Sequence, residues 1–202
     1  MADCQSSFHA IIIVLEGNVG AGKSTLLTRL AADATSMKTD LGGPWSKIAV
    51  RPIVEPIGEW TNVEGKNMLE AYYVDPHKYA FEFQSAIQHT YLQQLRRLTS
   101  RETVCERKNE DRLDIIIMER SFFSNRHVFT ELAYKKGYLT KFQYDALTGE
   151  FQSAVAGHKF FPCLDGLVYL RAAPNKVTMA VSSLGALSDQ FVLYFLVHES
   201  CH

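Results

Sequence analysis

Cysteine is scarce and scattered. The four in this 202-residue chain, at positions 4, 105, 163 and 201, form no CxxC pair and are too few for a disulfide scaffold. That spacing excludes a zinc ribbon or a dithiol redox site, and reduced thiols in an intracellular protein are expected. Long apolar runs are also missing: the longest, residues 10–15 and 191–197, fall far below the roughly 18 residues of a membrane span. A soluble protein that does not enter a membrane follows. Excess charge is lacking too, because 21 Lys and Arg face 22 Asp and Glu, for a formal net charge of −1. A basic nucleic-acid binder is thereby disfavoured. No Lys or Arg precedes Lys23, so neither a secretory signal nor an Arg-rich leader is read there, and a cytoplasmic location is the expectation. Repeats of solenoid or propeller length are absent.

What the sequence does contain is an alternation. Hydrophobic residues make up 47% and charged residues 21%, close to globular averages. Ala10-Ile-Ile-Ile-Val-Leu15 is a continuous β-branched run, as a strand buried on both faces of a parallel sheet should be. Similar short runs cover residues 48–54, 115–118 and 167–170. Helical spacing fills residues 25–34, 76–98 and 139–156, with turn punctuation at Gly42-Gly43-Pro44 and Gly157. Nine charged residues within 101–114 predict a solvated connector ahead of the third strand. Strand and helix in turn predict an α/β fold, and without a Pro/Ser-rich linker one domain is expected over residues 1–202.

Directly after the first strand stands Gly17-Asn18-Val19-Gly20-Ala21-Gly22-Lys23-Ser24, the GxxxxGK[ST] pattern, with Thr25 continuing into a helix. Each part has a mechanical reason. Glycines let successive backbone N–H groups face phosphate oxygens, and the helix N-terminus adds partial positive charge. Lys23 is placed to reach the β- and γ-phosphates of ATP, and the Ser24 hydroxyl to coordinate Mg²⁺. A cradle alone does not choose among GTPase, motor and small-molecule kinase. GTPase elements are not matched: Asn175-Lys176-Val177-Thr178 lacks the Asp of NKxD, and Asp40-Leu41-Gly42-Gly43 precedes the second strand.

The tips of the second and third strands read Glu55-Pro56-Ile57-Gly58-Glu59-Trp60 and Met118-Glu119-Arg120-Ser121. In open α/β sheets ligands bind at such carboxyl edges. With these residues the sequence resembles the deoxyribonucleoside kinase family. GNVGAGKS, EPIGEW, NVEGKNMLEAYY, Phe83-Gln84-Ser85, MERSFFSNRHVF and YLRAAP keep the family's order across about residues 8–175. The resemblance implies a three-layer P-loop kinase fold, a parallel sheet flanked by helices. It also implies transfer of the γ-phosphate of ATP, with Mg²⁺, to the 5′-hydroxyl of a deoxyribonucleoside, and a homodimer.

A primary alcohol holds its proton tightly at pH 7, so a carboxylate at the Glu-Pro turn suits a general base, and Glu55 is assigned that role. Glu119 would hold Mg²⁺, and Arg120 would neutralise charge near the migrating phosphoryl group. Trp60, Phe83 and Phe129 match positions that form the slot for the base. Gln84 matches the amide that pairs with the base edge, and Tyr73 the position that bonds the sugar 3′-hydroxyl. Base choice in the family is attributed to side chains that read Ile87, Tyr91 and Asn125 here. Tyr91 is bulky, which leans the expectation to pyrimidines.

From about residue 176 the family pattern stops, and no arginine follows Arg171. The C-terminal part of the fold is therefore expected to be incomplete. Arginine fingers contribute on the order of 10³ to 10⁵ in rate in other phosphoryl-transfer enzymes, so turnover is expected to be weakened. The alternative is a noncatalytic nucleotide-binding or regulatory isoform that dimerises with a full-length kinase. Phe191–Val197 is expected either as an edge strand or as an exposed apolar segment that lowers soluble yield.

Overall fold

A computed structural model describes residues 10–34, 48–99, 113–157 and 164–172. Gly42-Gly43-Pro44, the segment around Asp40, most of the charged connector, Asn175 to Thr178 and the tail with Phe191–Val197 lie outside the described residues. Contacts divide the chain into two compact units. One comprises Met1–Glu55, Arg101–Glu119 and Cys163–His202, the other Pro56–Ser100 and Arg120–Pro162.

The first unit carries strands β1 (Ala10–Gly17), β2 (Ile48–Ile53), β3 (Leu113–Glu119) and β4 (Gly166–Leu170), with helix α1 (Lys23–Ala34). Every pairing is parallel and the strand order is β2-β3-β1-β4, an α/β sheet as the alternating sequence predicts. The two central strands each carry an uninterrupted isoleucine run, Ile11–Ile13 in β1 and Ile115–Ile117 in β3, as strands paired on both edges and covered on both faces require. β2 lies at an edge of this sheet, and it is the strand that carries a proline. Pro52 lacks an N–H and costs least where one side needs no ladder partner. Between β1 and β3 the direction of winding reverses, which leaves a crevice beyond their carboxyl ends. The core here is Leu15, Leu27 and Leu170, each 1% exposed or less, with Leu26, Leu30, Ile117 and Val168 around them. Burying each leucine stabilises the unit by roughly 1.5–3 kcal/mol.

One expectation is corrected. Asp114, read as part of the solvated connector, is the second residue of β3 and is buried. It is tolerated there because Arg51 Nε approaches its Oδ2 at 3.1 Å. Register pairs Ala49 with Asp114, and Arg51, two residues further along β2, shares that face. A composition count cannot see this diagonal pair.

The second unit holds α2 (Ile57–Trp60), α3 (Met68–Val74), α4 (Pro76–Thr99), α5 (Phe122–Ser124), a π-helical turn (Asn125–Thr130), α6 (Glu131–Lys135) and α7 (Lys141–Gly157). Local chemistry sets the starts. Asn67 Oδ1 accepts from Glu70 N at the head of α3, and Asp75 Oδ1 accepts from Lys78 N ahead of Pro76. Thr140 and Gln143 form a reciprocal cap, so α7 begins at Lys141 rather than at Leu139. Gly137, at φ +75°, ends α6. Ala80, Ala133, Leu139 and Leu147 form the core, packed by Tyr72, Phe81, Tyr134, Tyr138 and Tyr144.

Candidate active site

The predicted phosphate cradle is a local consequence of where β1 stops. Gly17 has φ +149°, and a Cβ there would collide with the carbonyl oxygen of Leu170 on the neighbouring strand. Only glycine fits. Gly20 and Gly22, at φ +76° and +93°, carry the loop through the left-handed region into α1, which begins at Lys23. Asn18, Val19 and Gly20 are exposed at the loop's outer turn, as is Thr25 in the first helical turn. The buried Lys23 ammonium donates to Gly17 O at 3.1 Å and Asn18 O at 2.9 Å, which holds it over the loop.

Glu119 closes β3 and is 4% exposed. Its two oxygens are used separately. Oε1 accepts from the Ser24 hydroxyl at 2.8 Å, and Oε2 accepts from the backbone N–H of Glu55 at 3.3 Å. One carboxylate thereby ties the head of α1 and the chain leaving β2 to the tip of β3. Glu55 itself is half-buried two residues past the end of β2. Ser24 and Glu119 bring together two hard oxygen donors. Such a pair suits Mg²⁺, which takes one or two protein oxygens and completes its shell with water and phosphate. Among the described residues no group of three or more His, Cys, Asp or Glu is arranged to hold a metal.

The chain leaves the first unit twice within the described residues, at Glu55–Pro56 and at Glu119–Arg120, and each junction carries predicted site residues. Arg120 has φ +63°, an uncommon conformation for a side chain of this size, costing roughly 1–3 kcal/mol. It is 7% exposed, and its guanidinium carbon lies 4.7 Å from the Phe129 ring centroid. Strain of this kind concentrates at functional sites. The helical turn beyond is fixed by Ser121 and Ser124, whose hydroxyls accept from each other's backbone N–H at 3.0 and 3.1 Å.

In the second unit, α4 presents Phe83, Gln84, Ile87, Gln88 and Tyr91 on its buried side, at helical spacing. Trp60 is buried against this stripe, edge-on to Phe83 at 6.2 Å and tilted to Tyr91 at 6.1 Å, with its indole N–H donating to Thr90 Oγ1 at 3.4 Å. Gln84 is 3% exposed; its Oε1 accepts from Asn125 Nδ2 at 3.1 Å and from Thr130 Oγ1 at 3.3 Å. Predicted residues Trp60, Phe83, Gln84, Ile87, Tyr91 and Asn125 are therefore all buried in one unit, and Phe129 is half-buried. Tyr73 differs. Its side chain is 72% exposed and its ring touches Tyr72, whereas Tyr72 stacks on Phe83 at 4.9 Å.

Sequence reasoning missed Tyr72, Thr90 and Thr130. Thr90 was legible as a polar residue one helical turn beyond Ala86 on a largely apolar stripe. Thr130 carried no such signal, since only the π-helical geometry brings it to Gln84. Burial raises the Tyr72 hydroxyl pKa above its ordinary value, with Tyr138 and Tyr73 adding to the effect, so it remains protonated at neutral pH. No described helix is long and apolar enough to cross a membrane.

Comparison with known proteins points one way. A family model described as deoxynucleoside kinase matches residues 13–185. Deoxycytidine kinase 2 of Gallus gallus is 26% identical over 213 residues, covering 94% of this chain and 71% of the relative. Mitochondrial thymidine kinase 2 of Macaca fascicularis is 29% identical, covering 81% of this chain and 51% of the relative. The thymidine kinase of Ictalurid herpesvirus 1 is 33% identical, with 83% and 61% covered. The chain thus spans about half to about seven tenths of the length of these relatives.

Proposed function

Because this chain belongs to the deoxynucleoside kinase family, we propose that it transfers the γ-phosphoryl group of ATP to the 5′-hydroxyl of a deoxyribonucleoside, giving the monophosphate and ADP. The observation that carries this reading is the Glu119 junction. A buried carboxylate gathers the cradle's Ser24, the Glu55 backbone and the last residue of β3 at the edge where an α/β sheet binds ligands. Glu55 accepts the proton of the 5′-hydroxyl as its oxygen attacks phosphorus and the bond to the ADP oxygen breaks. Lys23 and Arg120 offset the charge that spreads over the transferring group. Ser24 and Glu119 would hold Mg²⁺, which when bound would supply Lewis-acid neutralisation of the phosphate oxygens.

The nucleoside's base lies in the aromatic slot of Trp60, Phe83 and Phe129, its edge bonded to Gln84, with Ile87, Tyr91 and Asn125 limiting its size. Tyr91, 2% exposed, supports a pyrimidine over a purine. Tyr73, being exposed, is free to swing onto a sugar hydroxyl. A cytoplasmic homodimer is the simplest setting.

A second reading rests on one sequence feature, the lack of arginine after Arg171. In that reading the chain binds nucleotide without turnover and pairs with a complete kinase. Radiolabelled ATP with each of the four deoxynucleosides decides between them. Labelled monophosphate from thymidine or deoxycytidine supports the kinase, and calorimetric binding without product supports the second reading. In an active chain Glu55→Gln should lower kcat by about 10²- to 10⁴-fold with little change in nucleoside affinity. An unchanged kcat removes Glu55 as the base.

A further inference from the structure

Two ammonium groups meet at one phenol in the first turn of α4. Lys66 Nζ lies 3.9 Å from the ring centroid of Tyr79, and Lys78 Nζ lies 4.9 Å from it. Both placements have a local origin. Glu64 and Gly65, at φ +50° and +83°, make a tight turn that paired 2.9 Å bonds between Val63 and Lys66 close, with Asn62 Oδ1 accepting from Gly65 N. That turn delivers Lys66 to the ring, and Lys78 is the ring's own neighbour in the chain.

Charge balance alone does not place the lysines there. Asp75 and Glu82 stand three residues before and four after Lys78, and Glu64 and Glu70 stand near Lys66. Neither lysine forms an ion pair with any carboxylate among the described residues, and Glu70 takes its bond from Asn67 instead. His77 is turned to the Tyr138 ring. The two cations converge on a neutral oxygen, an arrangement that favours its anion. Hydrogen bonds from Lys78 and then Lys66 draw the Tyr79 hydroxyl below its ordinary pKa. The same contact makes Lys78 hold its proton more tightly, so it stays an ammonium.

We propose that Tyr79 is a covalent modification site: a phenol activated by Lys66 and Lys78 that takes an electrophile at sulfur or phosphorus, the ammoniums receiving the oxygens of the transferred group. None of the three residues is among those assigned above to ATP or nucleoside. With a sulfonyl fluoride, the phenolate oxygen bonds to sulfur, the S–F bond breaks and fluoride leaves, while the phenolic proton passes to water. A phosphoryl donor reacts in the same way at phosphorus and expels its own leaving group. Exposure by itself would send the reagent elsewhere. Tyr73 is 72% exposed and Tyr79 only half-buried to solvent, yet among the described residues no cation lies over the Tyr73 ring.

The test is labelling of the full chain with an arylsulfonyl fluoride at about pH 8, followed by peptide mass spectrometry. Tyr79 should be labelled about threefold or more faster than Tyr73. Lys78→Met should slow Tyr79 by about threefold and Lys66→Met by less, whereas Lys78→Arg and Lys66→Arg keep the cation and should stay within about twofold of wild type. Tyr73 should be labelled at the same rate in every variant, which separates a local charge effect from loss of folding. In wild type the pH–rate profile of Tyr79 should have its midpoint below the ordinary phenol value of about 10. Tyr79 labelled no faster than Tyr73, a label on Lys66 or Lys78 in its place, a midpoint at or above the ordinary value, or Met variants that react as fast as their Arg counterparts each overturns the proposal. Should a variant unfold, the wild-type site map and pH profile decide.

Discussion

The proposed phosphate cradle and the proposed base slot are built in opposite ways. In the first unit the proposed phosphate site is eight consecutive residues, 17–24, shaped by backbone geometry, and two outside contacts tie it to the strand tips, Ser24 with Glu119 and Glu119 with the Glu55 amide. In the second unit the slot collects side chains from α2, α4 and the π-helical turn, more than 60 residues apart in sequence. A backbone site tolerates change in the side chains around it, whereas a side-chain site can be retuned one residue at a time. The relatives include both deoxycytidine and thymidine kinases.

Substitutions on one side should leave the other side's ligand alone. Lys23→Ala should have the largest effect. It removes the ammonium that Gly17 and Asn18 hold, and should lower Mg-ATP affinity by about 100-fold or more, with thymidine affinity within twofold of wild type. Coupled losses of both ligands would break the comparison. Gln84→Ala is the mirror experiment. It should weaken nucleoside binding by about tenfold and leave Mg-ATP affinity in place, as read by paired titrations.

Tyr144→Phe should have the smallest effect, and it sharpens how the slot's turn is held. The Tyr144 hydroxyl donates to Glu131 Oε2 at 2.6 Å and accepts from Arg126 Nη2 at 2.7 Å. That hydroxyl, more than Lys135 or Arg126, holds the Glu131 carboxyl below its ordinary range. A depressed carboxylate contributes stability above its unfolded pKa and loses it as pH falls through the folded value. The variant should therefore melt slightly lower at neutral pH and lose less on acidification below the ordinary carboxylate range. Parallel wild-type and variant melting curves across pH would contradict that linkage.

Much of this was legible beforehand because it is local. The run 10–15, the glycines of 17–24 and the spacing of α4 state their structure within a window of a few residues. Element ends moved by one or two residues, at α7 because Thr140 caps it and at β3 because Leu113 and Asp114 pair with β2. The misreading of Asp114 had a nonlocal cause, since a charge run looks solvated until the register of β2 brings Arg51 to it. Tyr72 and Tyr73 are adjacent and chemically equal, and only helix phase shows which one packs on Phe83.

Sequence alone determined that this chain carries a strand-ended phosphate loop and a parallel α/β sheet, because glycine conformations and β-branched burial are properties of contiguous residues. Tertiary structure decided that one carboxylate would join three chain segments and that two donors five residues apart would meet on a single amide oxygen. Those depend on strand register and on a π-helical turn, which arise from packing between distant segments.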